Sequence, residues 1–433
     1  MADRLGKRRR RSAFAAVIAT TLVFSGCTGG AADPGARFDQ VDAAFGDEVS
    51  SSLEAVLDEA VALSGSSGGV AGVWAPWAGE WSGASGALEF TEGAPAVASE
   101  TRFRIGTLTT EITCTILLRL VDAGKVALDD EVGDYVEWIP DLDGINLEQL
   151  CRHTSGIADY YPPLRSHFVA NPERVWPSNE LLSNALAMSR VGPPGEQWSQ
   201  SRSGILLLGM ALERATNRSW ADLAKQYVFD PLGLESTGIP APNDTDHDGL
   251  LGAYSASIAQ DGTVDCAVLL DDSSQSSSMG GVAAGAVSNL EDMRKLSEAF
   301  ATGVLLDEGT VRRQWSPTPM GGDTPAWQAW GLGGAQYGSM RGTAGETAGA
   351  LTAGFTDPAS GLTVVVALNN STSGADFVRE VAFALASIAS KAEAQGERER
   401  PLVELPWSIE QATENMRALA KCPRETEAAP AGG

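Results

Sequence analysis

A threonine hydroxyl and a carboxylate stand four residues apart at the mouth of an apolar run. Thr107 and Glu111 precede Ile112, Cys114, Ile116, Leu117 and Leu118. On a helix that spacing puts both on one face. A hydroxyl attacks an acyl carbon only when a neighbour takes its proton, so the pair sketches the nucleophile and base of a hydrolase. Thr110, between them, adds a second hydroxyl and no base. Farther along come His153 with Ser155 two residues on, then Gln200, Ser201 and Arg202, then Thr343, Gly345 and Glu346. His153 has the side chain of a general base. Trp198, Trp327 and Trp330 suit either the lining of a cleft or a core.

These residues need elements to position them. Leu53, Val56, Leu57, Ala60 and Val61 follow helical spacing, and Gly65-Ser66-Ser67-Gly68-Gly69 closes that helix. The same five residues match a G-x-S-x-G elbow, but the elbow requires a strand before it and a helix after it. The order here is reversed, so the segment is read as a loop. Strands are predicted near 70–74 and 81–86. The run 112–121 is apolar almost all round, Arg119 excepted, which predicts a buried helix. Residues 363–368 form an apolar run bounded by Gly361 and Asn369-Asn370, a buried strand, and a helix is predicted over 376–391. Strand-rich ends around a helical middle predict an α/β (α+β) fold with a helical lobe inserted between the halves of a mixed lobe. After residue 394 the composition turns to Gly, Glu and Arg. Ser408, with Gln411 three residues later, starts one last helix.

Several segments, in order, resemble the serine β-lactamase and D-alanyl-D-alanine carboxypeptidase family, the penicillin-binding, class C β-lactamase-related serine hydrolases. Phe103-Arg104-Ile105-Gly106-Thr107-Leu108-Thr109-Thr110 is similar to the family's F-x-I-G-S-x-x-K. The stretch from Ala123-Gly124-Lys125 to Asp129-Asp130 resembles its D-G-K-L-x-L-D-D, and Leu150-Cys151-Arg152-His153-Thr154-Ser155-Gly156 its L-L-x-H-T-S-G turn. Pro194-Gly195-Glu196-Gln197-Trp198, Asp230-Pro231-Leu232-Gly233-Leu234 and the segment from Gly280-Gly281 to Asp292 continue the match, over roughly residues 45–390. The resemblance implies an antiparallel sheet flanked by terminal helices, with the site between the sheet and the helical lobe. It implies that Thr107 holds the nucleophile position and Thr110 the lysine position. Gln200-Ser201-Arg202 holds the Y-x-N motif. Thr343-Ala344-Gly345 holds the K/H-T-G strand. Only Gly345 keeps the family residue. The backbone amides of Thr107 and Glu346 are the implied oxyanion donors. With Glu346 and Trp198, Arg202 could dress a cleft that still holds a carboxylate.

Residues 1–27 carry six basic side chains and one acid, and 13–24 are apolar. That is too short for a span of about 20 residues but right for a signal segment. Phe24-Ser25-Gly26-Cys27 resembles a bacterial lipobox, so Cys27 is the expected lipidation site, and Arg10-Arg11 raises a twin-arginine route. The expected organisation is a lipoprotein signal peptide (1–27), a flexible tether (28–38), the β-lactamase-related domain (39–394), and a C-terminal extension with one helix and a disordered tail (395–433). The expected location is outside the cell, lipid-anchored to the cell membrane. Beyond residue 27 the chain has 25 basic and 55 acidic residues, net −30. Such a body repels phosphate backbones, which argues against nucleic acid. Cys114, Cys151, Cys266 and Cys422 permit two disulfides in three pairings. His153, His167 and His247 lie far apart in sequence and no C-x-x-C occurs, so neither metal nor cofactor is expected.

Loss of the reactive side chains at all three motifs predicts a non-catalytic protein that binds a peptidoglycan stem peptide or an envelope protein. The competing expectation is a working carboxypeptidase, β-lactamase or esterase with Thr107 as nucleophile and a rebuilt base, Glu111 being the candidate.

Overall fold

The run Thr363–Leu368 is apolar at every position but the first because it lies in the middle of a sheet covered on both faces. The computed structural model describes residues 38–244, 249–259 and 262–424, and these fall in one compact unit. Eight antiparallel strands run in the order Gly79–Gly86, Gly68–Ala75, Thr363–Leu368, Ala350–Thr356, Met340–Thr347, Ala335–Tyr337, Gln328–Trp330 and Thr318–Pro319. Chain ends thus meet in the sheet: Val70 pairs with Ala367 and Val73 with Val364. Val364, Val366 and Leu368 join Ala71, Val73, Leu351 and Phe355 in a core with the helices Asp47–Ser64 and Ala375–Ala389. Val365 and Ala367 join Val70 in the opposite core, with Leu108, Ile112, Met293 and Leu296.

The second core continues into the helical part, where Thr109–Asp122 and Arg202–Thr216 cross. Residues 109–118 of the first helix are all buried. The disulfide Cys114–Cys151 fastens that helix to the short Leu147–Cys151 helix, whose start is capped reciprocally by Asn146 and Gln149.

The composition change at residue 394 does not mark the edge of the folded unit. Trp407 stacks on Phe383 at 3.7 Å and gives its indole N–H to the Phe383 carbonyl. The helix Ile409–Leu419, with its Ser408/Gln411 capping box, buries Ala412 and Met416 against Ala375–Ala389. Arg417 pairs with Glu59, and Cys422 bonds Cys266 on an exposed hairpin. The extension is a strap across the helix-covered back of the sheet. Residues 1–37, Cys27 among them, and 425–433 lie outside the described residues, as does His247. Among the described residues no helix is long and apolar enough to cross a membrane.

Candidate active site

Thr107 is presented by a tight turn that only glycine can make. The 3-10 turn Gly106–Leu108 feeds straight into Thr109–Asp122. Gly106 has φ of +53°, and a Cβ there would stand 2.7 Å from the Glu346 carbonyl carbon. A Cβ on Gly345 would collide with the Thr107 hydroxyl. These two glycines let the turn settle on the strand Met340–Thr347. The structure thereby brings together Thr107, Gly345 and Glu346, which the sequence separates by more than 230 residues.

The threonines of this helix are spent on anchoring it. Thr109 donates to the Gly106 carbonyl at 2.7 Å and accepts from the Ala286 amide at 3.2 Å. Thr113 donates to the Val282 carbonyl at 2.6 Å. Thr110 also donates, to the Ala283 carbonyl at 3.3 Å. Thr107 is different. It is 2% exposed, and its hydroxyl oxygen is buried without any hydrogen-bond partner. Among the described residues no base therefore reaches it.

Glu111 turns to the strand instead. Its Oε1 accepts from the Thr343 hydroxyl, while Oε2 is buried and unpartnered. Complete burial pushes its carboxyl up to about 8, against the smaller opposing pull of the Thr343 hydrogen bond. Near neutral pH Glu111 is mostly an uncharged acid, which cannot take a proton. The helical spacing that made it a candidate base is real, but its carboxyl is committed to Thr343.

His153 serves as a brace. It sits in the left-handed region at φ +54°, its carbonyl accepts from the Ser199 amide at 2.7 Å, and its Nδ1 accepts from the Ser201 amide at 3.4 Å. Burial, reinforced by the Arg202 charge, pushes the imidazole down to about 3, so it is neutral. Its ring packs on Trp198 and Trp330, and Trp330 donates to the Cys151 carbonyl at 2.9 Å. Ser155 is buried in the same turn and helps order it, accepting from the Ile157 amide at 3.3 Å. Trp330 is core. Trp327 is not a cleft residue, since it packs on Tyr337, Phe383 and Trp407 at the back of the sheet. Gln200 is half-buried ahead of Ser201, which caps the Arg202–Thr216 helix by accepting from the Gly204 amide.

Arg202 crosses from that helix to the strand. Nη1 donates to Asp159 Oδ2 at 2.7 Å, the guanidinium lies 4.0 Å over the Tyr161 ring, and Nη2 reaches the Glu346 carbonyl at 3.4 Å and its Oε1 at 3.6 Å. Burial works against the charge, but Asp159 and Glu346 more than offset it, so the group stays protonated. A charge that looked free for a ligand in the sequence already has two carboxylates of its own. Asp159 and Tyr161 were missed as partners. Their signal was an acid and two aromatics, Asp159-Tyr160-Tyr161, directly after the His153 turn.

A beta-lactamase family model matches residues 54–387. The chain belongs to the beta-lactamase family. It is 31% identical over 147 residues to the D-alanyl-D-alanine-carboxypeptidase/endopeptidase AmpH of Escherichia coli (strain K12), covering 32% of this chain and 37% of that one. It is 31% identical over 163 residues to penicillin-binding protein 4 of Amycolatopsis lactamdurans, covering 36% and 40%. The matched stretch thus spans well under half the length of these curated relatives. Among solved structures, a D-stereospecific amidohydrolase from Streptomyces sp. superposes with TM-score 0.65 at 23% identity, over 74% of this chain and 94% of that one. A D-amino acid amidase from Ochrobactrum anthropi SV3 gives 0.64 at 21%, over 74% and 92%. These likenesses show a shared fold.

Proposed function

We propose that this protein is a cell-envelope lipoprotein, anchored through Cys27 outside the cell membrane, that uses a β-lactamase-family domain for binding and performs no acyl transfer. The observation that carries this reading is the Thr107 hydroxyl, buried with no acceptor for its proton. Such a hydroxyl is a poor nucleophile. Removing the activating groups of a hydrolase typically costs about 10⁶ in rate. Thr110, Glu111 and His153 are each bound elsewhere, and Arg202 is a permanent cation paired with Asp159 and Glu346. The ligand is a peptidoglycan-type peptide or an envelope protein.

The test is turnover. Purified protein should not hydrolyse nitrocefin, a D-alanyl-D-alanine peptide or a short acyl ester above background. Hydrolysis that vanishes in Thr107→Ala would overturn the proposal. The competing reading, an active serine-hydrolase-like enzyme, draws support from the raised carboxyl of Glu111, because a perturbed group in a buried site marks many catalytic bases. It requires Glu111 to leave Thr343, and it predicts activity that climbs as pH passes about 8.

A further inference from the structure

One edge of the Arg202 guanidinium is underfilled. Nη1 is satisfied by Asp159 at 2.7 Å. On the opposite edge Nε is buried with no partner among the described residues. Nη2 has only long contacts, 3.4 Å and 3.6 Å, both to Glu346. Charge-assisted hydrogen bonds normally run about 2.7–2.9 Å. The Nε/Nη2 edge of arginine is a planar fork that fits the two oxygens of a carboxylate. Here the fork is held in place: Asp159 fixes the far edge and Tyr161 supports one face. The arginine side chain is 8% exposed, whereas that of Glu346 is 31% exposed.

We infer that this edge of Arg202 is a carboxylate-binding site and that the side chain of Glu346 is its internal, displaceable occupant. A ligand carboxylate would take Nε and Nη2 while Glu346 swings toward solvent. Asp159 stays on Nη1 throughout. The ligand class is a small carboxylate, such as the free end of a peptide or amino acid, presented without cleavage. The inference rests on the reading that the domain binds and does not cut. It adds the group that binds and the chain's own competitor for it. Glu346 would lower the apparent affinity by the fraction of time it occupies the fork.

The experiment uses the full chain and small carboxylates as probes. Thermal unfolding is followed while acetate, propionate or N-acetyl-D-alanine is titrated at constant ionic strength, with acetamide as the uncharged control. In Glu346→Ala the carboxylates should raise Tm saturably, with a midpoint at least about tenfold below that of the wild type. Glu346→Gln, which keeps the volume of the side chain, should fall between them. Adding Arg202→Lys to Glu346→Ala keeps a cation beside Asp159 but removes the fork, and the response should disappear. An equal response in that double variant, or none in either Glu346 variant, would overturn the carboxylate site. That failure would leave the turnover result untouched, and turnover of nitrocefin would overturn the non-catalytic reading while leaving this binding result standing.

Discussion

Two turns of the chain meet across the candidate site, and they treat their polar groups in opposite ways. The turn around His153 is closed on itself. Its carbonyl and Nδ1 take amides from Ser199 and Ser201, and its ring is enclosed by Trp198 and Trp330. The turn around Thr107 and the groups facing it are left open: the Thr107 hydroxyl, Glu111 Oε2 and Arg202 Nε are all buried without partners. Buried orphan polar atoms each cost about 1–3 kcal/mol. The His153 wall carries one such atom, the indole Nε1 of Trp198, whereas the wall opposite leaves a hydroxyl, a carboxyl oxygen and a guanidinium nitrogen unpaired. The His153 wall holds the scaffold. The Thr107 wall leaves polar groups unpaired among the described residues.

Titration sharpens this contrast most. The Glu111 carboxyl is raised to about 8 in the fold from an ordinary 4.5. An acid held neutral by burial contributes its stability fully below the unfolded value, and that contribution is lost as pH rises through the folded one. The stability of Glu111→Gln relative to wild type should therefore climb between pH 4.5 and 8, by on the order of 5 kcal/mol. Urea denaturation of both proteins across that range measures it. A constant gap would mean that Glu111 is ionised throughout and available as a base.

The closed wall should be the costly one to cut. His153→Ala removes a buried ring and leaves the Ser201 amide unsatisfied, for an expected loss of about 3 kcal/mol in the same assay. The open wall should behave in reverse. Thr107→Val swaps an unpartnered hydroxyl for a methyl of similar shape, and about 1 kcal/mol of added stability is expected. A loss there instead would mean that the hydroxyl has a partner after all, and the contrast between the walls would collapse.

The sequence showed the scaffold more clearly than the site. The apolar runs that became Thr109–Asp122 and Thr363–Leu368 were visible because burial on all sides leaves no polar period to read. The Ser408 cap and the loop at Gly65 were local signals and were equally readable. What escaped was the pairing of distant groups. Nothing near Glu111 announces Thr343, 232 residues away, and nothing near Arg202 announces Glu346. Spacing alone put Glu111 on the face of Thr107, and only the strand opposite decided which hydroxyl it would hold. The strap formed by the extension was hidden for the same reason. Trp407 declares itself core only once Phe383 lies beneath it.

A binding-only domain requires that nothing deprotonates Thr107. Intact-mass spectrometry after prolonged incubation with a fluorescent penicillin addresses this most directly, because acylation needs one attack and no turnover. The expected result is an unchanged protein mass with no labelled peptide. A stable adduct mapped to Thr107, absent in Thr107→Val, would contradict it.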